Sequence, residues 1–133
     1  MSGNRPTHAV LARAAMVAAL LGLVGCADDA PSYAADIAPI FERTCSGCHI
    51  GVAPVGGLSF MDTPLESLVG MPSEQADMNL IEPGDSLQSY LWHKLASTQG
   101  IAGGSGSSMP LGTLLGGDEI DRVADWIDGG ALP

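Results

Sequence analysis

Basic residues are scarce in this chain of 133 residues. Arg5, Arg13, Arg43, Lys94 and Arg122 face fifteen acidic side chains, for a formal net charge of −10. Such a balance disfavours nucleic acid and anionic lipid as partners of the folded part. Aromatic residues are few as well: two Trp, two Tyr and two Phe, a thin supply for the core of a domain of about 100 residues. No stretch alternates apolar and polar positions with β-branched residues, so no convincing strand is expected. Nothing in the chain suggests an activated nucleophile, an acid–base pair or a nucleotide-binding loop, and the carboxylates are spread as on a solvated surface. An enzyme is therefore not the expectation. Cysteine is limited to Cys26, Cys45 and Cys48, which leaves very little material for a disulfide framework.

The longest apolar run, Ala14 to Gly25, holds twelve residues, short of the roughly 20 that cross a bilayer. It follows a polar segment carrying Arg5, His8 and Arg13 and ends at a cysteine, the pattern of a secretory signal peptide. Leu23-Val24-Gly25-Cys26 resembles the bacterial lipoprotein box, which implies acylation of Cys26 and removal of residues 1–25. The alternative is an ordinary signal peptide with a cysteine nearby by chance. Ala27 after the cysteine favours, by the same resemblance, the periplasmic face of the outer membrane. Residues 27–32 then form a short polar tether, and residues 33–133 a single domain. Without residues 1–25 three basic residues remain against fifteen acidic ones, a net charge of −12. Acidity of that order steers a basic docking partner, and it also serves solubility.

Short helices divided by Gly- and Pro-rich loops are expected from Tyr33 onward. Ile37, Ile40 and Phe41 form one apolar stripe, which predicts a helix from about Asp36 to Cys48, with Pro39 in its first turn. Thr63-Pro64-Leu65-Glu66 reads as a capping box opening a second helix that Gly70 stops. A third follows Pro83-Gly84-Asp85, with Leu87, Tyr90, Leu91 and Leu95 on one side. A last helix from about Gly117 to Asp128 buries Ile120, Val123, Ala124 and Ile127, with Asp118 and Glu119 at its positive end. Between the last two lies a loop from Gly100 to Gly117 with seven glycines, long enough to be either functional or disordered. The fold class expected is all-α.

The motif that carries chemistry is Cys45-Ser46-Gly47-Cys48-His49. Its C-x-x-C-H spacing is that of c-type haem attachment. Two cysteines one helical turn apart reach two vinyl groups of one haem as thioethers, and the next residue offers its imidazole to the iron. A thioredoxin-like C-x-x-C needs a βαβ context, which is missing. A zinc site needs a fourth ligand and usually a second cysteine pair. A disulfide closing so small a loop would stabilise little. Acylated Cys26 and two haem-bound cysteines leave no cysteine over.

A second axial ligand of methionine or histidine closes the iron for electron transfer. Beyond His49 the candidates are Met61, Met71, Met78, His93 and Met109. Met109 is favoured because it sits in a Gly/Ser loop with little core to fill, is stiffened by Pro110 and precedes the last helix. His93 is the main competitor, with a surface or propionate-facing role as its plainer reading, and an open sixth position is the third possibility.

From Tyr33 to Pro133 the chain resembles the mono-haem class I cytochromes c. The matching pieces are a first helix ending in the C-x-x-C-H motif, a Met-Pro loop sixty residues after His49, and an amphipathic last helix. The stretch Glu82-Pro83-Gly84-Asp85-Ser86, followed by Ser89-Tyr90-Leu91-Trp92-His93-Lys94-Leu95, is also similar. The resemblance implies a small fold of about four helices around one covalent haem c. Cys45 and Cys48 would be its thioether sites, with His49 as proximal and Met109 as distal ligand. It also implies that the first and last helices cross, Ile37 and Phe41 meeting Val123 and Ile127. The chain departs from the family in two places. Members often carry a Gly-Pro-Leu segment whose carbonyl orients the histidine; the nearest counterparts here are Pro54 and Gly56-Gly57-Leu58, which leaves that carbonyl unassigned. A basic residue often precedes the methionine, where this chain has Ser108.

The expectation is thus an extracytoplasmic, lipid-anchored electron carrier serving unidentified redox proteins. A haem-based gas sensor with an open sixth site is the alternative, followed by a small peroxidase and a non-haem structural lipoprotein.

Overall fold

The computed structural model describes residues 30–133. The signal segment, Cys26 and the first half of the tether lie outside the described residues. Those described are mostly helical; they contain no strand, only the isolated bridges Val69–Ile81, Pro72–Asn79 and Asn79–Ser89. The helices are α1 (Ala38–Thr44), α2 (Leu65–Leu68), α3 (Tyr90–Leu95) and α4 (Gly117–Asp128). A wide π-type turn, Tyr33–Ile37, runs directly into α1, and tighter 3-10 turns occupy Val55–Gly57 and Ser86–Gln88. Among these residues no helix is long and apolar enough to cross a membrane.

The first helical segment begins earlier and ends sooner than its stripe predicts. Ser32 caps it, its hydroxyl accepting the Ala35 N–H at 3.2 Å. Pro39 falls in the first turn of α1. Regular helix stops at Thr44, where side chains compete for the last carbonyls: Thr44 Oγ1 donates to Ile40 O at 2.6 Å and Ser46 Oγ to Glu42 O. One further turn survives, because His49 N still donates to Cys45 O at 2.9 Å.

Two other expectations are corrected. The capping box at Thr63 does not form. The helix begins one residue later than expected. Pro64, which has no capping side chain and no N–H, therefore occupies the N-cap position, and Glu66 falls at the second helical position instead of the third. Leu87 is exposed rather than part of the buried side of α3. It belongs to the separate 3-10 turn, and Ser89, extended at φ −106° and ψ 115°, breaks the periodicity before α3 begins.

The core gathers Ile37, Ile40 and Phe41 with Val123, Trp126 and Ile127, adding Leu68 from α2, Leu91 and Leu95 from α3, and Phe60, Leu80 and Ile81 from the loops. The apolar faces of the first segment and α4 therefore meet, an arrangement that the resemblance implied. Tyr33 and Trp126 rings lie 5.6 Å apart, and Phe41 and Phe60 4.7 Å. Exposed ion pairs Arg43–Glu119 and Arg122–Asp36 span the same junction and contribute little by comparison. At its far end α4 is fastened by Asp128, whose carboxylate accepts from Ser86 N at 2.7 Å and Ser86 Oγ at 3.1 Å.

Candidate functional site

A cavity of about 450 Å³ opens beside the end of the first helix and α3, within the range of cofactor and ligand sites. Leu58, Phe60, Leu80, Leu91 and Leu95 supply apolar wall. Cys45, Cys48, His49 and Met109, separated by up to 64 positions in sequence, all line it.

The end of the first helix forms one part of the wall. Cys48 N donates to Cys45 O at 3.1 Å and His49 N to the same carbonyl at 2.9 Å, so both cysteines and the histidine sit on one turn. The thiols of Cys45 and Cys48 are free, Cys48 exposed and Cys45 half-buried. Burial pushes the Cys45 thiol up from its ordinary value, partly offset by the Thr44 hydroxyl beside it. A thiol held protonated in this way lacks the lowered pKa of a redox-exchange nucleophile. Nor do the three residues converge: among the described residues no three His, Cys, Asp or Glu side chains are placed to hold a single metal ion. They are spread along a wall instead.

His49 is oriented by the loop that follows it. Val55 N donates to Cys48 O at 3.0 Å and Phe60 N to His49 O at 3.1 Å. Gly56 and Gly57, at φ +66° and +71°, turn the chain back on itself, a conformation that side chains with a Cβ avoid. The return brings Leu58 O to 2.9 Å from His49 Nδ1. A carbonyl only accepts, so Nδ1 carries the proton in the neutral ring and Nε2 keeps its lone pair. Phe60 packs edge-on against the imidazole at 5.7 Å. The orienting carbonyl left open by the sequence is therefore that of Leu58.

The cavity wall sorts the other candidates. Met109 and Met71 line the cavity; Met61, Met78 and His93 do not. His93 has both ring nitrogens engaged, Nε2 with Leu87 O at 2.9 Å and Nδ1 with Thr98 Oγ1 at 2.7 Å. Leu87 O forces Nε2 to donate, so Nδ1 accepts from the threonine and no lone pair remains for a metal. Met71 and Met109 both pack against the core, and each has a backbone hydrogen bond, Leu80 N→Met71 O at 2.7 Å and Met109 N→Lys94 O at 2.9 Å; Met109 comes from the glycine-rich loop. Sequence reasoning missed Tyr90 and Lys94 as cavity residues; on α3 they stand one turn apart, a spacing that signals a shared face but not what the face meets.

No protein-family model, curated protein or solved structure matches this chain.

Proposed function

We propose that this protein is a c-type cytochrome, an electron carrier holding one covalent haem. The reading rests on a single juxtaposition: Cys45, Cys48 and a His49 with its Nε2 lone pair free border the same apolar cavity as Met109. The residues fit the group. Two thiols one turn apart, spread along a wall rather than converging, suit attachment to two points of a large flat ring. An oriented imidazole and a thioether are the donor pair of a closed, six-coordinate iron. A bound haem supplies one-electron chemistry at its iron. The chain's part is to hold the group covalently through Cys45 and Cys48, to present His49 through the Leu58 carbonyl, and to exclude water with the leucine-lined walls. One electron is accepted from a donor protein and one passed to an acceptor, with the chain anchored outside the cytoplasm through Cys26 and its acidic surface favouring basic partners.

The test is an absorption spectrum of protein matured with its haem, oxidised and reduced, together with haem staining on a denaturing gel. Expected are covalent stain that requires Cys45 and Cys48, and a weak long-wavelength band of methionine–ferric haem coordination. The band should vanish in Met109→Ala and persist in Met71→Leu. A stained protein that lacks the band and binds CO readily when reduced would instead have an open sixth site, and ligand sensing would replace electron transfer. Absence of stain would end the haem reading.

A further inference from the structure

The loop that delivers Met109 is unsuited to hold itself in place. Seven glycines lie between Gly100 and Gly117, and glycine loses more freedom on ordering than any other residue. The loop is nevertheless fastened: Gln99 and turns of the loop itself hold part of it, and the segment leading to Met109 is held from one face of α3. Lys94 Nζ donates to Ser105 O at 2.8 Å and to Ser107 O at 3.0 Å, while the Lys94 backbone carbonyl accepts the N–H of Met109 itself at 2.9 Å. One turn earlier Tyr90 grips the same segment: its hydroxyl donates to Ser105 O at 2.9 Å and accepts from Ser105 N at 3.1 Å. Gly104 lies flat on the Tyr90 ring, where a Cβ would come within 2.3 Å of Cε2.

Lys94 is an unusual residue to find there. Its relative exposure is 8%, and neither of the two ion pairs among the described residues involves it. Burying an ammonium without a carboxylate is costly. What compensates it is two loop carbonyls and the face of the Tyr90 ring, 5.3 Å away. A leucine would fill the space more cheaply but could hold no carbonyl. The expense is understandable if the loop must be kept in one place.

We infer that Lys94, supported by Tyr90, is a positioning residue that latches the 104–109 loop and thereby keeps the Met109 thioether at the cavity. This rests on the haem reading above and adds to it the element that decides whether the sixth position is closed.

The test uses the haem-loaded protein. Lys94→Met keeps the apolar stem and removes the donors; Lys94→Gln retains a weaker, uncharged donor and carries the same test if the first variant does not accumulate. Ser89→Ala is the control for lost stability. Ser89 is fully buried and hydrogen-bonded to Glu82 N and Asp85 O, but it touches neither the loop nor the cavity. Lys94→Met should lose most of the methionine–ferric band, and its reduced form should favour CO over methionine by about tenfold or more relative to wild type, as expected for the loss of charge-assisted hydrogen bonds. Lys94→Gln should fall between, and Ser89→Ala should melt earlier yet keep the band. Full bands in both Lys94 variants overturn the latch and leave the haem reading intact. Equal loss of the band in Ser89→Ala overturns it too, because any destabilisation would then open the site. A wild-type protein with no stain or no band defeats the parent reading and the latch together.

Discussion

The hydrogen bond from His49 Nδ1 to Leu58 O does more than hold a ring: it decides which nitrogen is left to bind a metal. The donor types were visible in the C-x-x-C-H spacing, because that spacing is a property of side chains. The orienting carbonyl was not, since a backbone oxygen has no residue identity and its position depends on Gly56 and Gly57 both adopting positive φ. Likewise His93 looked eligible as a ligand until Leu87 O and Thr98 Oγ1 were found at its two nitrogens. Tyr33 offers a separate test at this scale. Its burial raises the phenol pKa from the ordinary 10.0, helped by the nearby Glu42 and Cys45. The folded form then binds the phenol proton more tightly than the unfolded form does. That contribution to stability is fully present below the unfolded value of about 10 and is lost as pH rises through the higher folded value. Thermal midpoints from pH 8 to 11 should fall, and the fall should be shallower in Tyr33→Phe, which keeps the ring packed on Trp126 but has no proton to lose. Equal slopes in the two proteins would show that Tyr33 does not govern the alkaline limb.

Among the helices, α4 was the most legible, with bounds and negative first turn as expected, since twelve residues give periodicity room to show. The one-turn α2 and the six-residue α3 leave no such room, and their details turned on single residues: Pro64 taking the N-cap position, and Ser89 separating Leu87 from its apparent stripe. The glycine-rich segment before α4 reads as a flexible loop because the side chains that hold it near Met109, Lys94 and Tyr90, belong to α3. α4 also buries Trp126, which the apolar stripe did not single out. Its indole is 1% exposed, stacks near Tyr33 and donates from Nε1 to Leu132 O at 2.8 Å. Trp126→Ala should cost the haem-loaded protein about 3–5 kcal/mol, the range for removing a large aromatic side chain from a core. Denaturant unfolding measures it, and Trp126→Phe should recover a good part of the loss. A change below 1 kcal/mol would mean that the junction of α4 with the first helical segment is not the main packing contact of the fold.

At the scale of the whole molecule, the core and the cavity cannot be separated. Leu91 and Leu95 belong to the hydrophobic cluster and also form cavity wall, as do Phe60 and Leu80. A large apolar group in that space would complete the packing of residues from α3 and from the loops between α1 and α3. Without it, those side chains face roughly 450 Å³ of unfilled volume in a chain with only six aromatics. Interiors are normally packed to crystal-like density, and a gap of this size forfeits contacts on every side. Water is a poor substitute against leucine and phenylalanine. Nor can local structure take over, because α2 and α3 are far below the length at which isolated helices persist. The haem-free chain is therefore expected to be molten or largely unfolded, with far-UV helix signal reduced, near-UV signal lost and ANS bound. Covalent loading through Cys45 and Cys48 should convert it to a protein that melts in one cooperative transition. A Cys45→Ala/Cys48→Ala chain that unfolds cooperatively without haem would show that the leucine-lined walls collapse on themselves, and that the cavity is a binding site the fold can do without.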